Sequence, residues 1–220
     1  MVRFHRIWLL IRKDLMLEFR QKYILQGMVL HTVAMVYVSY LSFDQTIPLH
    51  TWNALFWLIL LFSAISAVSR TFVSDSPGRQ LYYYQVSDPV SLILSKILYN
   101  ILLMTVLALL ALVVFVLFNG NLIAHPARFL TALFLGSWGL AVLLTLVSAI
   151  AAQGARNFTL MSILSFPLIL PLFLVLIRFS LSGLQGGPFL PYASYTIALT
   201  ALILLGLTLA LILFPFLWKE

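Results

Sequence analysis

Between Lys96 and Arg128 the sequence contains no Asp, Glu, Lys or Arg, and the middle of that stretch, Ile101–Phe118, is apolar at every position except Thr105. Such a run has no polar face to offer water. It is also long enough to cross the roughly 30 Å hydrocarbon core of a bilayer, which takes about 20 predominantly apolar residues in a helix. In lipid, backbone amides must find partners within their own element, so a continuous run means a helix, whereas a barrel strand would alternate with period two. Six segments fit this description, at about 24–43, 52–73, 90–118, 127–153, 159–179 and 194–217, the first being interrupted by Gln26 and His31. A content of 63% hydrophobic and 9% charged residues, with a mean hydropathy of +1.08, leaves no room for an ordinary soluble domain. The expectation is an all-α membrane protein, one transmembrane domain over 1–220.

Cationic residues orient it. With the N-terminus inside, eleven of the 13 Lys and Arg fall on the cytoplasmic side and only Arg128 and Arg178 fall outside. Placing Lys219 inside as well requires an even number of crossings, hence six helices with both termini cytoplasmic. The net charge of +7 then follows from topology and anionic lipid, not from nucleic acid, for which no aromatic-and-basic surface module is present. WLLI near the start is too short for a cleaved signal, so the first crossing is expected to serve as its own anchor. The absence of cysteine removes disulfides, thiolate metal sites and covalent haem attachment through this chain.

The N-terminal segment, 1–23, sets Phe4, Ile7, Trp8, Ile11 and Leu15 along one side of a helix, with Arg6, Lys13 and Arg20 recurring elsewhere. This pattern exceeds what a plain basic flank needs and predicts an amphipathic helix in the cytoplasmic interface. The three outer loops, FDQTIPLH, NGNLIAHP and SLSGLQGGPFLPYAS, are too short for a separate domain.

Catalytic patterns are missing: no phosphate-binding loop, no HExxH, no nucleophile elbow and no paired carboxylates within the apolar segments. The six acidic residues are expected at or beyond the ends of the spans. The chain is therefore expected not to be an enzyme. His31 reads as a residue hydrogen-bonded across a helix interface, and His50 and His125 as solvated outer-loop histidines, in preference to haem or metal ligands. Asn100 and Gln153 read as packing or helix-end residues. Pro167 and Pro171, four residues apart, predict a fifth span kinked inside the protein, serving a pathway, a hinge or packing alone.

The longest polar interruption is SDSPGRQLYYYQVSDPVSLILSK, Ser74–Lys96, with 74–89 as its loop. Gln80–Val86 suits a short helix, and Asp88-Pro89 suits the start of the third span. Short helices so placed dock on soluble partners; a tyrosine-rich interfacial turn is the plainer alternative. The whole order, an interfacial helix, six spans and a polar loop between spans two and three, resembles the ABC-2 (type V exporter-like) permease architecture. More narrowly, SRTFVSDSPGRQLYYYQVSDPVSLILSKIL followed by LVSAIAAQGARNFTLMSILSFPLILPLFLV is similar to the haem exporter protein B (CcmB) family of cytochrome c maturation. That resemblance implies a permease subunit in a bacterial inner membrane, paired as a homodimer with a separate ABC ATPase subunit (CcmA-like) that binds ATP and Mg. It further implies work with CcmC-like, CcmD-like and CcmE-like haem-handling proteins, with ATP hydrolysis linked to release of the haem-loaded chaperone. Asp75, Pro77, Gly78, Arg79, Tyr82, Tyr83 and Asp88 are then the candidates for ATPase contact, with Arg156 in the turn GARNF. Gln80 and Tyr82–Tyr84 depart from the more acidic and aliphatic character of related loops. Export of a lipid, glycan or drug by the same architecture is the alternative. Direct haem handling without an ATPase would call for a Trp-rich outer loop, and Trp8, Trp52, Trp57, Trp138 and Trp218 are dispersed.

Overall fold

The computed structural model describes residues 2–20, 22–43, 47–68, 88–153, 158–185 and 189–217. They form seven helices: α1 (Val2–Arg20), α2 (Lys22–Leu41), α3 (Leu49–Val68), α4 (Pro89–Asn119), α5 (Pro126–Gln153), α6 (Phe158–Gln185) and α7 (Phe189–Leu217). No strand occurs among the described residues. Five helices, α3 to α7, are long and apolar enough to cross a membrane. The sixth expected span corresponds to α2, a 20-residue helix that carries Gln26 and His31.

Helix starts and ends follow local chemistry. Asp88 caps α4, its carboxylate accepting from the Ser91 amide at 3.2 Å, and Pro89 takes the first helical position, where a missing N–H costs nothing. The far end of α4 stops at Gly120, whose φ of +80° is costly for residues with a Cβ. Two ends differ from the sequence expectation. The fifth span was expected to stop near 179, yet α6 runs on to Gln185. Its serines find partners within the protein, Ser180 bonding the Asn53 side chain of α3 at 2.8 Å and Ser182 donating to the Phe179 carbonyl at 2.6 Å, so their polarity does not end the helix. Likewise α7 begins at Phe189 rather than near 194, because Pro191 falls in its first turn, where proline is tolerated.

Helices α2 to α7 run in alternating directions. The Trp52 indole, at the start of α3, donates to the Gly120 carbonyl beyond the end of α4 at 3.2 Å. The His125 amide, before α5, donates to the Gly183 carbonyl near the end of α6 at 2.8 Å. These contacts define one end of the bundle, termed outer here. The start of α4, the middle of α1 and the later halves of α5 and α7 meet at the other, inner end.

At the centre lies α5, buried almost without interruption from Gly139 to Ala149. Lipid supplies no hydrophobic drive between helices, so close approach through small residues and interhelical hydrogen bonds must hold them together. Gly136 admits Trp57 of α3 and Leu176 of α6, and Gly139 admits Leu172 of α6. Trp52, Phe56, Phe115 and Phe129 fill the outer half, Trp52 and Phe115 meeting edge to face with centroids 5.0 Å apart. Beside them, Ser180 accepts from the Trp57 indole at 2.8 Å and donates to the Asn53 side-chain oxygen at 2.8 Å, while the Asn53 amide reaches the Ile177 carbonyl at 2.9 Å. That network ties α3 to α6.

Candidate functional site at the inner end of the bundle

Asp14 lies on the apolar side of helix α1. Ile7, Leu10 and Ile11 precede Asp14 by seven, four and three residues, which places the carboxylate among them on the helix wheel. Asp14 is buried, whereas Trp8 and Leu9 are exposed, so α1 turns its carboxylate-bearing face toward the bundle. There it meets Lys96 in the second turn of α4, with Nζ 3.3 Å from Oδ2 and the two side chains only 7% and 9% exposed. Lys13, on α1 itself, lies 3.3 Å from the other carboxylate oxygen. The distance from Oδ2 to Lys96 is that of an ion pair, but the geometry is not that of a directional hydrogen bond. Charge, more than orientation, holds the two together.

Apolar packing surrounds this pair. Leu10 of α1 lies against a cluster made by Leu92, Ile93 and Ile97 of α4, Val142, Leu146 and Ala149 of α5, and Ala210 and Phe214 of α7. One turn beyond Lys96, Asn100 donates to the Thr145 hydroxyl of α5 at 2.7 Å, the packing role expected of it. The inner end therefore joins α1, α4, α5 and α7 through a mixed apolar and charged contact. Such a contact can transmit displacement of one helix to the others.

The sequence candidates are distributed unevenly around this region. Asp75, Pro77, Gly78, Arg79, Tyr82, Tyr83 and Arg156 lie outside the described residues. Asp88 is described, and caps the helix that carries Lys96. Lys96, at the end of the polar stretch that starts at Ser74, is buried, with a carboxylate of α1 facing it. Asp14 lies outside the spans, as expected, within α1; what the sequence reading missed is its burial against α4. Its signal was readable as a carboxylate set among Ile7, Leu10 and Ile11 on the helix wheel.

The prolines are also placed differently. Pro167 and Pro171 lie inside α6 on an exposed stripe with Phe166, Leu170 and Leu174, so their rings face away from the core and line no interior path in this chain. The expected hydrogen bond of His31 is not formed among the described residues: its Nε2 is buried without a partner, while the adjacent Thr32 bonds Ser63 of α3 at 2.9 Å. His50 is exposed at 3.4 Å from the Gln185 amide, and His125 is exposed at the outer end. No cluster of three or more His, Cys, Asp or Glu suited to a metal occurs among the described residues.

Comparison with known families settles the wider identity. The family model for CcmB protein matches residues 5–217, nearly the whole chain. The chain belongs to the CcmB family. No curated protein matches it significantly. Membership makes this a multi-pass membrane protein of the haem-export machinery of cytochrome c maturation, the family whose resemblance rested on the polar loop and the proline-bearing span. Membership also implies that the chain works as a member of the Ccm haem-exporter assembly.

Proposed function

We propose that this CcmB-family chain is the permease-type subunit through which ATP hydrolysis in a separate CcmA-like ATPase drives a step of haem handling, release of the haem-loaded CcmE-like chaperone. Family membership over 5–217 carries this reading. In it the chain contributes no nucleotide site; ATP and Mg belong to the ATPase, and haem is cargo of the complex. The segment 74–89 receives the ATPase, with Asp75, Pro77, Gly78, Arg79, Tyr82, Tyr83 and Arg156 at the contact, and the helix that follows carries the displacement into the membrane. Asp88 serves this indirectly by fixing the start of that helix. Six crossings, α2 included, put both termini on the cytoplasmic side of a bacterial inner membrane, in agreement with the charge bias. CcmC-like and CcmD-like proteins complete the assembly, and two ATPases call for two permease halves, read here as two copies of this chain.

The reading predicts a specific defect. A strain lacking this chain should accumulate chaperone with haem still bound and lose mature c-type cytochromes, both scored by haem staining of membrane fractions. Normal cytochrome maturation in that strain would overturn it.

A further inference from the structure

The structure joins two elements whose link no functional reading requires: the membrane-surface helix α1 and the start of α4. We infer that Asp14 and Lys96 form a latch that makes these two helices move as one body, so that displacement of the segment preceding Asp88 reaches α1. The inference rests on the permease reading for its purpose, but not for its structure.

Three observations carry it. Asp14 and Lys96 approach to 3.3 Å with both side chains almost wholly buried, so parting the helices would expose two charges to rearranged surroundings. The Asp88 cap and Lys96 lie on the same uninterrupted helix, about 12 Å apart along its axis at 1.5 Å per residue, a span over which a helix transmits displacement without bending. Leu10, one turn before Asp14, packs in the cluster formed by α4, α5 and α7, so the charged contact has an apolar partner that fixes its position.

The absence of cysteine makes the test direct, since single labels can be placed at will. Met16 of α1 and Leu98 of α4 are both exposed, and Met16→Cys with Leu98→Cys takes a spin label on each helix. Pulsed electron–electron resonance on the full chain in nanodiscs should give one narrow distance distribution. Asp14→Ala should lower the ratio of docked to undocked α1 on the order of a hundredfold, giving a broad distribution. The exchanged pair Asp14→Lys with Lys96→Asp should restore the narrow one; if that protein does not insert, Asp14→Met with Lys96→Met asks the same question with no buried charge. An Asp14→Ala distribution as narrow as the parent overturns the latch, as does a restored pair that stays broad. Adding the ATPase and a non-hydrolysable ATP analogue should leave the parent distance unchanged, because the helices move together; a shifted distance contradicts the latch. Failure of the ATPase to bind at all would count against the permease reading alone, leaving the intrachain result intact.

Discussion

Asp14→Ala is expected to destabilise the folded chain by about 3–5 kcal/mol, the range for breaking a buried ion pair by removing one partner. Lys96 is 5% exposed and the substitution takes away the carboxylate that faces it from α1. Lys96→Ala should cost less, toward the lower end of that range, because Lys13 remains 3.3 Å from Asp14 and the carboxylate keeps a cation beside it. Asp14→Met combined with Lys96→Met should come close to the parent, since a buried pair replaced by apolar side chains of similar volume loses both the attraction and the desolvation penalty. Thermal unfolding in detergent, followed by the amount of monodisperse protein remaining, ranks the four proteins. An Asp14→Ala protein as stable as the parent would show that the pair contributes little to holding α1.

Gly183→Leu is expected to be strongly destabilising as well. A Cβ at this position would lie 2.9 Å from the Phe129 backbone nitrogen and 3.1 Å from its Cα, and backbone atoms cannot step aside as a side chain can. The helices α5 and α6 would have to separate, straining the His125 to Gly183 hydrogen bond as well. Overpacking of this kind typically costs about 1–3 kcal/mol for a few added methylenes, and the rigid neighbour puts Leu at or above the upper end. Gly27 supplies the control: a Cβ there meets nothing within 4 Å, so Gly27→Ala should be neutral or slightly stabilising by the helix preference for alanine. Detergent thermal unfolding of both variants checks the contrast, and equal effects at the two glycines would contradict the packing described here.

Much of this architecture was legible from hydropathy because lipid imposes a strong rule on sequence: every span must be both long and apolar. The five helices α3 to α7 obey it, and their positions follow the apolar runs. Helix ends were less legible. The internal bonds of Ser180 and Ser182 hide their polarity, so a serine-rich tail reads as loop when it is helix. The outward stripe of Pro167 and Pro171 was not legible, since proline spacing gives a shared face but not what that face meets. Partner choice was equally hidden in the Asp14–Lys96 contact, where two residues more than 80 positions apart are joined by the tertiary fold. Asp14 nevertheless announced itself as a charge on an apolar face; what the pattern lacked was any sign of which cation would answer it. Asp88-Pro89 was the most transparent signal, because capping and proline at a helix start are local chemistry.

The central claim is that this chain passes work from an ATPase into the membrane, and co-purification tests it most directly. The tagged chain should bring down the CcmA-like ATPase from solubilised membranes, and an Arg79→Glu, Tyr83→Ala variant, still inserted and monodisperse, should lose it. Retention of the ATPase by that variant would move the contact to another inner surface, while failure of the parent chain to bring down any ATPase would contradict the account.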